Sequence, residues 1–295
     1  MDVMAKERLI ETAETREGFI EVEPGWEIAY RWTPSATSAN TAVFLNGLGD
    51  EHGSWDHMVK SLPHLNRLQL DLRGQGQSLT KRLSLHPDSP FRISIPTQSK
   101  DIAAALDHLG ISGPVSLVGN SYGGGVAFDF ASRYPERTKR LALIVPYIVR
   151  LDRSFPLQRL WGWQWRTARG LGLIPASLAQ SVESAYENFL SAYMNQRFQK
   201  RMGTEDQRRV AIELSHGIME FDAFQVLHQL PNQGVFLLTS ECDTLIPPSL
   251  FREFWRRLPV SKHGHWTRVS DGDHLLLEQK PELVLEWLKS VLLLT

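Results

Sequence analysis

A chain of 295 residues is long for one domain by the usual prior, yet within what a single α/β unit reaches, and 42% hydrophobic with 22% charged residues provides for a sizeable core. Lys plus Arg (32) nearly balance Asp plus Glu (33), and a net charge of −1 gives no global electrostatic reason to expect nucleic acid or an anionic membrane as partner. The single cysteine, Cys242, excludes an internal disulfide framework and a cysteine-rich metal site.

The N-terminal stretch MDVMAKERLIETAETREG mixes acids and bases and has no apolar core of signal-peptide length. The longest apolar run, Leu141 to Val149, falls far short of the ~20 residues a membrane helix needs. No integral membrane segment is expected, the cytoplasm is the default location, and the oligomeric state is left open. Gly18–Glu23 and Glu27–Trp32 read as two antiparallel strands joined by a Pro24-Gly25 turn. From Thr41 short apolar runs alternate with helical stretches: Ala42–Leu45, Arg67–Leu70, Val115–Val118, Leu141–Val145 and Val235–Leu238. Runs apolar throughout are the mark of parallel strands covered on both faces. Helices are expected over Thr97–Leu109, ending at Gly110, over Tyr122–Tyr134, stopping before Pro135, and over Pro281–Leu294. The alternation predicts an α/β chain with a doubly wound, mostly parallel sheet. Residues 148–230 break it, with Trp161, Trp163, Trp165 and five arginines between Arg150 and Arg169. They are expected to form a helical cap inserted between a first core part, 1–147, and a second, 231–295.

The segment VSLVGNSYGGG holds the pattern G-x-S-x-G as Gly119-Asn120-Ser121-Tyr122-Gly123. So short a pattern arises by chance and also fits a bland glycine-rich turn; its place between a buried strand and a helix favours the chemical reading. A sharp strand-to-helix turn there leaves no room for a Cβ at Gly119 or Gly123. It lifts the Ser121 hydroxyl out of the sheet and turns the Tyr122 N–H toward a developing oxyanion. A serine needs a base, and histidine has two ring nitrogens, one for the serine and one for an orienting carboxylate. His274, after the strand-like Trp266–Val269, is the candidate base, and Asp243, after the strand Val235–Leu238, the candidate acid. Among the other histidines, His263 and His265 are expected just before the last strand and at its far end, while His52 and His57 could line a pocket. Asp271, Asp273 and Asp222 are the competing acids, and Cys242 is read as a small buried residue.

These blocks together resemble the α/β-hydrolase family, from about Thr41 to the C-terminus apart from the insertion. Asn46-Gly47-Leu48-Gly49 follows the first buried strand, and Asp71-Leu72-Arg73-Gly74-Gln75-Gly76-Gln77-Ser78 matches the family's D-x-R-G-x-G-x-S turn. Asp243 and His274 stand at its acid and base positions. The resemblance implies a second oxyanion donor at the Leu48 N–H, although Asn46-Gly47 stands where the family has His-Gly, and Asp273 where a glycine commonly precedes the histidine. Asp71, Arg73 and Ser78 are expected to form a structural, ion-paired turn. The cap is expected to shape a pocket, with Trp161, Trp165 and Tyr186 as substrate-binding candidates; most of its rings serve to hold it to the core, and its arginines read as a solvated face. The implied activity is hydrolysis of a carboxylic ester in a small-molecule substrate through an acyl-enzyme, with no metal or organic cofactor. Serine at position 121 argues against the branches that use aspartate there, epoxide hydrolases and dehalogenases. A carbon–carbon bond hydrolase, an acyltransferase, or a ligand receptor on the same scaffold remain as alternatives.

Overall fold

The structure, a computed structural model, describes residues 14–85, 93–149, 221–232 and 234–293, with positions 171–173, 175, 177, 178, 181 and 210. Eight strands form one sheet: β1 (Arg16–Glu23), β2 (Trp26–Thr33), β3 (Thr41–Leu45), β4 (Asn66–Leu70), β5 (Val115–Asn120), β6 (Thr138–Ile144), β7 (Val235–Ser240) and β8 (His263–Val269). Their spatial order is β1-β2-β4-β3-β5-β6-β7-β8. The pairs β1–β2 and β2–β4 are antiparallel, and every pair from β4 to β8 is parallel. The described helices are α1 (Asp56–Lys60), α2 (Gly76–Leu85), α3 (Ile95–His108), α4 (Tyr122–Arg133), α5 (Pro248–Arg257), α6 (Leu276–Gln279) and α7 (Pro281–Leu292).

The strands with buried apolar runs are those with helices on both faces. Successive side chains of a strand point to opposite sides, so Val43, Leu45, Leu117, Leu143 and Leu237 join one core with Ile102 and Leu106 of α3, Val126 and Phe130 of α4, and Phe251 and Phe254 of α5. Phe44, Val118, Ile144 and Leu238 join the other with Met58 of α1 and Val284 and Leu288 of α7. Helix α3 starts two residues earlier than the spacing predicts, because Ser94 is its N-cap and accepts a hydrogen bond from Thr97 N–H (3.2 Å). The last strand also starts early: His263 and His265 lie within β8, at its N-terminal end, rather than ahead of it. Among the described residues no helix is long and apolar enough to cross a membrane. The expected cap falls largely outside the described residues, and Trp161, Trp165 and Tyr186 lie there. The two described flanks of this stretch meet, where Ala223 N–H donates to the Ile148 carbonyl (2.9 Å).

Candidate active site

Parallel strands carry their C-terminal ends to one edge of the sheet, and the segments after β3, β5, β7 and β8 meet along that edge. Ser121 stands between β5 and α4 with φ 47° and ψ −111°, outside the regions that a residue with a side chain ordinarily occupies. Such a conformation costs on the order of 1–3 kcal/mol and persists only where its surroundings over-determine it. Here Ser121 N–H donates to Ile144 O (3.0 Å), while Ser121 O accepts from Gly124 N–H (3.0 Å) and Tyr147 N–H (2.8 Å). The flanking glycines are sterically required. A Cβ on Gly119 would lie 2.7 Å from the Gly123 carbonyl oxygen, and one on Gly123 would lie 2.4 Å from that of Leu45. The next residue of unusual backbone is Val145, at the end of β6, with φ 38°.

His274 follows β8 and is 3% exposed. A carboxylate only accepts, so the Nδ1 that faces Asp243 carries the ring proton and Nε2 is free to accept. Ser121 Oγ–H then donates to His274 Nε2 (2.7 Å), and His274 Nδ1–H donates to Asp243 Oδ2 (2.9 Å). The other oxygen of Asp243 accepts from the N–H groups of Leu245 (2.9 Å) and Ile246 (2.8 Å), so the turn after β7 aims the carboxylate. Asp273 does not compete for the imidazole. Its Oδ1 accepts from Thr244 N–H (2.9 Å), Thr244 Oγ1 (2.8 Å) and the His274 backbone N–H (2.7 Å), which ties the two loops together. Asp222 caps a short 3-10 turn by accepting from Phe224 N–H (3.0 Å). Asp271 pairs with Lys280 at the surface (2.5 Å).

Tyr122 opens α4, where the first N–H groups of a helix have no partner within it. Its ring is buried, burial pushes its hydroxyl above the ordinary range, and Gln98 Nε2 donates to that hydroxyl (2.7 Å). The loop after β3 comes close behind the serine: a Cβ on Gly47 would lie 3.9 Å from Ser121 Cβ. Leu48 is buried in this loop, and Gly49 N–H donates to Gln75 Oε1 (3.0 Å). Asn46 donates from Nδ2 to Asp71 Oδ1 (3.2 Å). His52 donates to the same carboxylate through its backbone N–H (2.5 Å) and Nδ1 (3.0 Å). The hydrogen bond to Asp71 raises the His52 pKa, against the opposing pull of burial.

The expected ion-paired turn is corrected in its pairing. Asp71 bonds to Asn46, His52 and Gln77. Arg73 instead forms a bidentate pair with Asp101 on α3 (2.5 and 2.7 Å), donates to Glu23 (2.6 Å) and lies over the Trp26 ring. Its own neighbours occupy it fully, and at 1% exposure it is a structural residue. Cys242 is exposed rather than buried, its thiol reaching the Ser270 carbonyl (3.3 Å). Reading the residue types in order does not reveal Gln75, Gln98, Thr244 or Tyr147. The first three bond to partners distant in sequence, and the last serves the serine through its backbone N–H; for it, the Val-Pro step at a strand end is the available signal.

The chain matches the family of the alpha/beta hydrolase fold over residues 41–281. It is 23% identical over 295 residues to a cis-3-alkyl-4-alkyloxetan-2-one decarboxylase of Xanthomonas campestris pv. campestris, with 92% of this chain and 94% of that protein covered. It is 30% identical over 181 residues to a pimeloyl-[acyl-carrier protein] methyl ester esterase of Nitrosomonas europaea, covering 60% of each. Among solved structures, MGS-M2, an α/β-hydrolase enzyme from a Medee basin deep-sea metagenome library, superposes with a TM-score of 0.68 at 19% identity, over 94% of this chain and 98% of that one. The match spans the sheet from β3 to the start of α7, and on it the chain belongs to the α/β-hydrolase fold family, as an enzyme of the hydrolase class.

Proposed function

We propose that this enzyme hydrolyses carboxylic esters through an acyl-enzyme on Ser121, with His274 as general base and Asp243 as the residue that orients it. One observation carries the reading: the unbroken chain of hydrogen bonds from Ser121 Oγ through His274 to Asp243, at 2.7 and 2.9 Å. Ser121 Oγ attacks the ester carbonyl carbon as its proton passes to His274 Nε2. The carbonyl oxygen gains the negative charge, and the N–H groups of Leu48 and Tyr122 are the proposed donors that hold it. His274 then gives its proton to the departing alkoxide, and the alcohol leaves. Water attacks the acyl-enzyme with its proton taken by the same Nε2, and Ser121 is released with the proton returned. The ester class is also favoured by the relative named a methyl ester esterase, while the oxetan-2-one relative is named a decarboxylase of a cyclic ester and shares the substrate class but not the hydrolysis. The proposal includes a cap over 148–230, with Trp161, Trp165 and Tyr186 bounding the acyl pocket.

Initial rates on p-nitrophenyl esters of increasing acyl length test this directly. Turnover should fall about 10⁶-fold in kcat for Ser121→Ala, down to the residual rate that an intact oxyanion site sustains. Asp243→Asn keeps an oxygen for the Leu245 and Ile246 amides but turns an NH2 toward His274 Nδ1, which moves the ring proton to Nε2 and leaves no acceptor for the serine, and a loss on the order of 10⁴-fold is expected. Well-folded wild-type protein that turns over no ester would sink the reading.

A further inference from the structure

The hydrogen-bond pattern at the end of the β5–β6 ladder is irregular in an informative way. In a parallel ladder a residue's N–H donates to the carbonyl one place before its partner, and its C=O accepts from the N–H one place after. Ser121 N–H donates to Ile144 O (3.0 Å), which continues the pairing of Asn120 with Ile144. A regular rung would next bring the N–H of residue 146 to the Ser121 carbonyl. Residue 146 is proline and has no N–H. Val145 instead turns to φ 38°, one extra residue is accommodated, and Tyr147 N–H reaches Ser121 O at 2.8 Å. Two preferences oppose that turn: a β-branched side chain disfavours positive φ, and a residue before proline favours extended backbone. Close packing opposes its relaxation, since Val145 is fully buried and Pro146 leaves no room for a Cβ on Gly124, which would meet Pro146 Cβ at 2.5 Å.

We propose that the Val145–Pro146 bulge is a positioning device that aims the Tyr122 N–H, an inference that rests on the oxyanion role given to Tyr122 above. The peptide joining Ser121 to Tyr122 is trans and planar, so its C=O and N–H point in opposite directions. Fixing the carbonyl therefore fixes the amide. Gly124 N–H holds the carbonyl from inside α4, and Tyr147 N–H holds it from the end of β6. The second bond anchors the donor to the sheet, and it exists in this register because proline withholds the regular one.

Pro146→Ala keeps the Cβ that packs on Gly124 but restores an N–H, which lets the regular rung form. The probe is a p-nitrophenyl alkylphosphonate, which forms a bond from Ser121 Oγ to phosphorus, releases p-nitrophenolate, sends the serine proton to His274 and places a P–O oxygen in the same oxyanion site. The second-order labelling rate and Tm are measured for wild type, Pro146→Ala and Val291→Ala. Val291 is a buried residue near the end of α7 whose carbonyl accepts from Arg140. The labelling rate of Pro146→Ala should fall about ten- to a hundred-fold, the scale of losses that misplacement by an ångström brings. Its Tm should change little, and the new backbone amide that the substitution introduces should be protected from hydrogen exchange. Val291→Ala should lose Tm and keep its labelling rate. An unchanged rate in Pro146→Ala overturns the inference, and so does an equal slowing in Val291→Ala, since labelling would then merely follow stability. Wild-type protein that is not labelled at all overturns the serine-hydrolase reading and this inference with it, a result distinct from normal labelling of both wild type and Pro146→Ala.

Discussion

At the scale of single residues, steric requirements were the most legible part of the chain. Gly119 and Gly123 could be assigned from their type alone, because a side chain at either would strike backbone in the first turn of α4 or at the adjacent strand end. His52 was not legible in this way: its carboxylate partner, Asp71, lies across the β3–β4 connection, and only the fold brings them together. That pairing has a consequence for pH. The folded-state pKa of His52 is raised above its ordinary 6.5, so the native protein keeps a proton that the unfolded chain gives up. The stabilisation is complete below the unfolded value and is lost as pH rises through the folded one. The gap in unfolding free energy between wild type and His52→Gln should therefore be wider at about pH 6 than at about pH 9, as measured by urea titration. A gap that does not narrow with rising pH would exclude the raised pKa as its source.

At the scale of elements, β3, β5, β6 and β7 announce themselves because helices cover them on both faces, so each carries a run of buried apolar residues. Strand β8 does not. It is the sheet's edge, most of its residues are only partly buried, and its opening His-Gly-His carries no strand signature. The junction between the β4 turn and α3 is equally silent in the sequence, since Arg73 and Asp101 are 28 positions apart. Burial pushes the Asp101 carboxyl upward while Arg73 draws it down, and both side chains are almost wholly enclosed. Asp101→Ala strips the buried Arg73 of its bidentate partner and leaves only the half-exposed Glu23 to balance its charge, so it is expected to cost about 3 kcal/mol in unfolding free energy, the low end for breaking a buried pair. Asp129→Ala, whose partner Arg133 is 41% exposed, should cost far less, about 1 kcal/mol or under. Equal losses for the two would mean that burial of the first pair carries no extra weight.

At the scale of the whole molecule, the topology was legible once the strand–helix alternation was counted, because parallel strands with right-handed crossovers leave few arrangements open. The three proposed triad members, scattered over 153 positions from Ser121 to His274, share an edge for that reason. The segment between β6 and β7 obeys no such rule, and its tryptophans and arginines suit a pocket wall or a solvated face equally well. Replacing residues 150–220 by a short Gly/Ser linker should leave a cooperatively folding protein, still labelled at Ser121 by the phosphonate but without selectivity for acyl length. Some Tm should be lost, because Val210 belongs to the core and would go with the segment. Failure to fold cooperatively would mean that the sheet depends on the segment for more than that contact.

The hydrogen bond from Ala223 to Ile148 closes the neck of this segment. Where two ends already touch, the length and character of what lies between them scarcely affect the rest of the structure. A lineage can therefore exchange, enlarge or strip the intervening chain while the reacting groups stay in place, so that new substrates become reachable without the chemistry being invented again.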